Sequence, residues 1–298
     1  MGESLESIQS IQEYEEVDRD QGVERKYLYY EKRSHHLHTD KQAVDILQSP
    51  MWGKMLFLDG VLQSTTGDEV LYHNALVHPT LSRAVDREHI LILGGGEGAT
   101  AREVLRWSDV KKVTMVDYDE ELVKLMMRYG REWSQGAFEN PRLELIYDDA
   151  WDYITKPNDY GAIIIDLTDP DLNREHWLSL LWCAMERVKK LKGSIVMNAG
   201  LYLPWETKQL KEIKSLMGTL TAVYRDYDYT FYTVLVPSFN GEWAMVRLAH
   251  HEHEHPSGTF KMPDWIERSI RPLSVELIER PGWPVPNLAP IDATRLGM

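Results

Sequence analysis

Four acidic sites punctuate the middle of the chain, each directly after a short apolar run. Residues 89–93 (HILIL) lead into Gly94-Gly95-Gly96-Glu97-Gly98, and residues 112–116 (KVTMV) lead into Asp117. Residues 143–147 lead into Asp148-Asp149-Ala150, and residues 162–165 into Asp166-Leu167-Thr168-Asp169-Pro170. A glycine loop after a buried strand lets backbone approach a ligand closely and enter the next helix. An acid at the end of the next strand can accept hydrogen bonds from both hydroxyls of a ribose. Asp149 is placed to accept from an adenine amino group. Together these features point to an adenosine compound. They fit a dinucleotide less well, because Glu97 stands where a helix N-terminus would otherwise receive a pyrophosphate. A carboxylate there repels phosphate and favours a cation such as a sulfonium. Asp166 and Asp169 add two carboxylates on one short loop. With Glu97 they make a group suited to cationic amines, in which one member can act as general base for an attacking amine.

The elements needed to position these residues are legible around them. Short apolar runs at 89–93, 112–116, 143–147, 162–165 and 194–198 read as strands. They alternate with helical stretches at 97–107, 120–129 and 177–191, the signature of a parallel, doubly wound sheet. Ligands bind such a sheet beyond the carboxyl ends of its strands. Before it, KYLYYEK, QAVDIL and KMLFLDGVLQST read as a small antiparallel sheet, with Asp59-Gly60 as a hairpin turn. A helix is expected over 72–84, kinked or shortened by Pro79. Residues 1–20 form a polar lead-in with helical character, 219–248 read as antiparallel edge strands, and 250–298 as a partly irregular tail. The division is a β-strand domain over 1–80 and a catalytic domain over 81–298.

The 298 residues are 43% hydrophobic and 27% charged, enough to bury a sizeable core. The formal net charge of -14 argues against nucleic acid as a partner, because phosphate recognition needs basic patches. It suits a cationic substrate, or simply solubility. A single cysteine, Cys183, excludes an internal disulfide framework and suits a reducing compartment. The acidic N-terminus reads as neither signal nor transit peptide, and no apolar run is long enough for a membrane span. The expectation is a cytoplasmic protein. His250, His251, His253 and His255 alternate with glutamates and lack a further ligand set, so they read as surface rather than metal site. Trp52, Trp205 and Trp243 lie near the motifs and are candidates for cation–π contact with an ammonium.

In these residues the chain resembles the spermidine synthase family of aminopropyltransferases. The family pattern appears as Leu58-Asp59-Gly60-Val61-Leu62-Gln63, Asp68-Glu69 and Tyr72-His73-Asn74, followed in order by the glycine loop, Asp117, Asp148-Asp149 and the Asp166–Pro170 loop. GGGEG, His73 and DLTDP resemble the thermospermine synthase branch. The resemblance implies a Rossmann-like fold of the class I methyltransferase type, with a small N-terminal antiparallel β domain. It implies decarboxylated S-adenosylmethionine as co-substrate, with no prosthetic group and no metal. A neutral amine attacks the methylene beside the sulfonium and releases methylthioadenosine. By motif, Gln42, Gln63, Asp117 and Asp149, with Gly94, Gly95, Gly96 and Gly98, face the adenosine part. Glu97 and Asp169 hold cationic amine ends, and His73 sits beside them. Asp166 with Tyr72 accepts the attacking amine's hydrogen bonds and helps deprotonate it. The implied assembly is a homodimer or homotetramer. Three departures fall on the acceptor side: Asn74 replaces a glutamate, Phe239 replaces a tyrosine in the Pro237-Ser238-Phe239 turn, and Asp171–Arg174 lacks a Gly-Pro continuation. Two other readings stay open, an S-adenosylmethionine-dependent N-methyltransferase of a small amine and a catalytically idle nucleoside-binding relative.

Overall fold

The computed structural model describes residues 11–18, 23–168, 173–205, 207–252 and 260–279. Two small sheets open the chain. β1 (Ile11–Asp18) pairs antiparallel with β2 (Val23–Tyr30). β3 (His35–His38), β4 (Ala43–Ser49), β5 (Gly53–Leu58) and β6 (Val61–Thr65) then form a four-stranded antiparallel sheet in sequence order, with Asp59-Gly60 as the hairpin turn. The lead-in is therefore a strand from Ile11, not a helix. Its Tyr14 and Glu16 alternate inward and sit opposite Tyr27 and Arg25 of β2, the two-residue period of a half-buried strand.

Helix α1 (Glu69–Leu81) leads into the large sheet. There follow β7 (His89–Gly94), α2 (Ala99–Leu105), β8 (Lys112–Asp117), α3 (Glu120–Tyr129), α4 (Arg131–Ser134), β9 (Leu143–Tyr147) and α5 (Ala150–Tyr153). The second half runs β10 (Ala162–Asp166), α6 (Arg174–Val188), β11 (Ser194–Leu201), α7 (Lys208–Val223), β12 (Tyr227–Val236) and β13 (Gly241–His250). α8 (Asp264–Glu267), β14 (Ile270–Leu273) and α9 (Val275–Glu279) close the described chain. The strand order is β14-β12-β13-β11-β10-β7-β8-β9. β11, β10, β7, β8 and β9 are parallel, whereas β13, β12 and β14 add antiparallel pairs at one edge. β7 and β10 are adjacent, with the chain winding away on either side, so the switch point lies between their carboxyl ends.

The core explains the pattern. β7 and β10 are buried along almost their whole length, as continuous apolar runs covered on both faces. Residues 219–223, expected as strand, instead end α7, whose Leu210, Ile213, Leu216, Met217 and Leu220 bury one helical face. Within the expected tail, β14 is held by pairing with β12.

Pro79 lies inside α1 rather than ending it. It has no N–H to give the carbonyl of Ala75. Tyr232 of β12 supplies the missing donor, its hydroxyl lying 2.9 Å from the Ala75 oxygen. Arg247 of β13 donates to the Pro79 carbonyl at 2.9 Å. The edge strands thus repair the helix that the cavity depends on. Tyr232→Phe leaves a buried carbonyl without its donor and is expected to cost about 1–2 kcal/mol. The measurement is urea unfolding; an unchanged midpoint would show that the helix does not need this bond.

Candidate active site

A cavity of about 670 Å³ opens at the switch point. Its walls bring together residues far apart in sequence: Gln42 and Gln63 from the small sheet, Tyr72 and His73 from α1, the glycine loop with Glu97, and Asp117, Asp149 and Asp166 from three strand ends. Asp169 lies outside the described residues.

The glycine loop is shaped as much by the protein's own groups as by space for a ligand. Gly94 has φ +83°, and a Cβ there would lie 2.2 Å from the Asp166 carbonyl oxygen. The Gly95 N–H donates to that same carbonyl at 3.1 Å. A Cβ on Gly96 would lie 2.9 Å from Asp117 Oδ2. Side chains at these positions would push the ends of β8 and β10 off the loop. Their absence lets the carboxylates of Asp117 and Asp166 converge on it.

Each carboxylate is held in a distinct way. Asp117 is buried and accepts from the Asp119 N–H at 2.9 Å. Burial, only partly offset by this bond and reinforced by Glu97, pushes its carboxyl up to about 6. Asp166 Oδ2 accepts from the Thr100 hydroxyl at 2.5 Å. Burial and the neighbouring Glu97 push it up to about 6 as well, against the lowering influence of His73. Asp149 uses Oδ1 to cap α5, accepting from the N–H groups of Trp151 and Asp152 at 2.7 and 3.2 Å. Among the described residues these are the bonds its carboxylate accepts. Gln42 donates its amide to Asp119 at 2.8 Å, and Gln63 donates to the Val61 carbonyl at 3.2 Å.

His73 is placed between two acids rather than open to the cavity alone. Its Nδ1 lies 2.8 Å from Glu69 Oε2, and its Nε2 lies 2.7 Å from Glu97 Oε1. Arg102 backs Glu69 with two bonds of 2.9 Å, the bidentate geometry that makes such pairs strong. Of the three acids expected around one pocket, Asp166 and Glu97 line the cavity, and Glu97 reaches it with an imidazole already bonded to it.

Comparisons with known proteins join this geometry to a family. Residues 69–259 match the spermine/spermidine synthase domain, and residues 18–66 match the spermidine synthase tetramerisation domain. The chain belongs to the spermine/spermidine synthase family. It is 39% identical over 208 residues to a polyamine aminopropyltransferase of Sulfolobus acidocaldarius, covering 69% of this chain and 67% of that one. A polyamine aminopropyltransferase of Sulfurisphaera tokodaii is 38% identical over 210 residues, covering 70% and 68%. In fold, the chain is similar to spermidine synthase from Thermotoga maritima, with TM-score 0.70, 23% identity and 86% of each chain covered. It is also similar to a spermidine synthase solved with the transition state analogue AdoDATO, with TM-score 0.71, 24% identity and 86% and 87% covered.

Within the family pattern, the structure gives the Asp68-Glu69 pair two different jobs. Asp68 is buried and accepts from Thr65 Oγ1, the Ser238 N–H and Ser238 Oγ at 2.7, 2.7 and 2.8 Å. It ties the start of α1 to the Pro237–Phe239 turn, which sets Phe239 and Trp243 on the cavity wall. Asn74, in place of the family's glutamate, is fully buried and donates to the Val70 carbonyl at 2.8 Å. It does not line the cavity. Of the other tryptophans singled out, Trp205 is exposed and Trp52 packs on the core of the small sheets. His251 pairs with Asp228 at the surface, while His253 and His255 lie outside the described residues.

Sequence reasoning quoted Glu69 in the family pattern without giving it a role, and it missed Thr100 and Arg102 as well as Glu16 and Arg25, which line the cavity from β1 and β2. Starting α1 at residue 69 rather than 72 would have put Glu69 one turn before His73, a spacing that pairs side chains.

Burial of Asp117 makes a stability prediction. Its folded carboxyl titrates near 6, above its ordinary value of 3.8. The folded state therefore holds the proton more tightly, and the stabilisation present at low pH is lost as pH rises through 6. Asp117→Asn is expected to gain about 1–3 kcal/mol at pH 8, a Tm rise of several degrees without ligand. The gain should vanish near pH 4. Thermal melts at both values check this, and an equal effect at both would remove burial of the charge as its cause.

Proposed function

We propose that the protein transfers the aminopropyl group of decarboxylated S-adenosylmethionine to a small amine such as putrescine or spermidine, releasing methylthioadenosine. The observation that carries this reading is the convergence of Asp166, Glu97 and Tyr72 in one cavity at the switch point of a spermine/spermidine synthase family fold. A buried carboxylate beside a second one is a proton acceptor held near the operating pH.

In the proposed reaction, the acceptor's neutral nitrogen attacks the methylene next to the sulfonium. A C–N bond forms, the C–S bond breaks with its electron pair going to sulfur, and a proton passes from the new ammonium to Asp166. Tyr72 and Asp166 orient the attacking nitrogen. Asp117 accepts from the ribose hydroxyls, Gln42 and Gln63 flank the adenosine, and Asp149 accepts from the adenine amino group through its uncommitted oxygen. Gly94, Gly95, Gly96 and Gly98 keep the backbone close to the sulfonium side. Glu97 holds an ammonium, steadied by His73, and Asp169 completes the amine site. The leaving group is a neutral thioether, so the bond can break without a Lewis acid.

Match to a tetramerisation domain supports a homo-oligomer, which we take as a homodimer or homotetramer built through the small N-terminal sheets. Among the described residues, no helix is long and apolar enough to cross a membrane. We place the reaction in the cytoplasm, where a chain with one cysteine meets reduced conditions. Net acidity favours an amine partner over nucleic acid.

Mass spectrometry of products tests the reading directly. Putrescine, spermidine or agmatine is offered with decarboxylated or intact S-adenosylmethionine. One amine is expected to gain a single aminopropyl group from the decarboxylated donor. Gain of a methyl group from the intact donor would make the protein an N-methyltransferase, and no product with either would leave a nucleoside-binding relative. Asp166→Asn should keep donor binding but slow turnover at least ~100-fold, the usual worth of general-base assistance.

A further inference from the structure

One His73 nitrogen, one Glu97 oxygen and one Asp166 oxygen lie within 4.8 Å of one another. Such spacing can hold a metal, yet His73 is committed elsewhere. Nδ1 faces the Glu69 carboxylate and the Glu69 backbone carbonyl, at 2.8 and 2.9 Å, and Nε2 faces the Glu97 carboxylate at 2.7 Å. The Glu69 carbonyl and the Arg102-paired Glu69 carboxylate only accept, so Nδ1 donates, and beside a Glu97 carboxylate Nε2 donates as well. A ring with two N–H groups is an imidazolium and has no lone pair for a metal.

We propose that His73 is a positioning residue, a buried imidazolium held by the Arg102–Glu69 pair, that fixes Glu97 and lets Glu97 and Asp166 be ionised side by side in the cavity. This rests on the reading of Asp166 as the proton acceptor. The charges along the chain alternate: Arg102 positive, Glu69 negative, His73 positive, Glu97 negative. Each member is bonded to the next at 2.7–2.9 Å, and Glu69 and His73 are almost wholly buried. Arg102 is anchored further by the Trp133 carbonyl at 2.6 Å and by Glu103 at 2.8 Å, so the far end of the chain is fixed to α2 and α4.

The groups facing this ring from each packed element are few. Helix α1 presents Glu69 and the Tyr72 ring, whose centroid is 5.2 Å away. The glycine loop presents Glu97, β10 presents Asp166, and α2 presents Arg102 behind Glu69. Burial opposes a charged ring, but the bonds to Glu69 and Glu97 outweigh it and hold His73 well above the ordinary histidine range. The same positive charge pulls Asp166 down, against burial, Glu97 and Asp117, while Thr100 donates to it. Without the imidazolium, Asp166 would lose the one neighbouring charge that favours its carboxylate against burial and Glu97.

Two measurements decide this. In the first, 15N-labelled histidine in the ligand-free protein is observed by NMR at pH 8, with His73→Gln identifying the signal. His73 is expected to show two protonated nitrogens, and a neutral-imidazole pattern would overturn the proposal. It needs no turnover, so it stands even if the wild-type protein yields no aminopropyl product and the functional reading fails. In the second, kcat/KM with the decarboxylated donor is followed against pH. His73→Gln is expected to move the acid limb upward by about one unit or more, the effect of losing an opposite charge beside a carboxylate. The deficit should be largest near pH 6 and narrow as pH rises. A loss of equal size at every pH, with methylthioadenosine affinity retained, would mean that His73 only shapes the cavity and would also overturn the proposal.

Discussion

Carboxylates gathered in one cavity repel one another, and burial penalises each charge, so a site built from several of them needs compensation from the fold. That constraint organises this molecule. Asp117 and Asp166 end β8 and β10, the two strands that flank β7, Glu97 lies between them on the glycine loop after β7, and all three reach the same cavity. Their compensation comes from hydrogen bonds of the Asp119 N–H and the Thr100 hydroxyl, and from the bonded chain that runs from Glu97 through His73 and Glu69 to Arg102. The residual penalty stays visible in carboxyls raised to about 6.

The scaffold serves this arrangement at long range. Parallel strands β7, β8 and β10 deliver the acids in register, and the loop can pass between them because Gly94 and Gly96 carry no side chain. α1 carries Tyr72 and His73 on the cavity wall with Glu69 one turn before His73, and it continues past Pro79 to Leu81. Tyr232 on the antiparallel edge makes that possible. Asp68 then fastens the start of α1 to the turn carrying Phe239, joining helix, large sheet and cavity wall through one buried carboxylate.

Much of this was legible in the sequence. The central strands announce themselves as uninterrupted apolar runs, and the acids follow those runs directly, so the fold and the residues that line its cavity could be read together. What stayed hidden depended on contacts distant in sequence. Glu69 seemed to precede the helix, and Arg102 is one of several polar residues on α2; nothing local says that they meet. Residues 11–18 look like a polar lead-in because their inward face is Tyr14 and Glu16 rather than aliphatic. They become a strand only against Tyr27 and Arg25 of β2. Pro79 looks like a helix end because the hydroxyl that rescues it lies 157 residues away.

The central claim is that the compensated acids select a cationic donor without a carboxylate of its own. Calorimetric titration of the wild-type protein with decarboxylated and intact S-adenosylmethionine tests it most directly. The account predicts at least ~10-fold tighter binding of the decarboxylated donor, the scale of one unfavourable like-charge contact in a partly buried site. Equal affinities, or a preference for the intact donor, would contradict it.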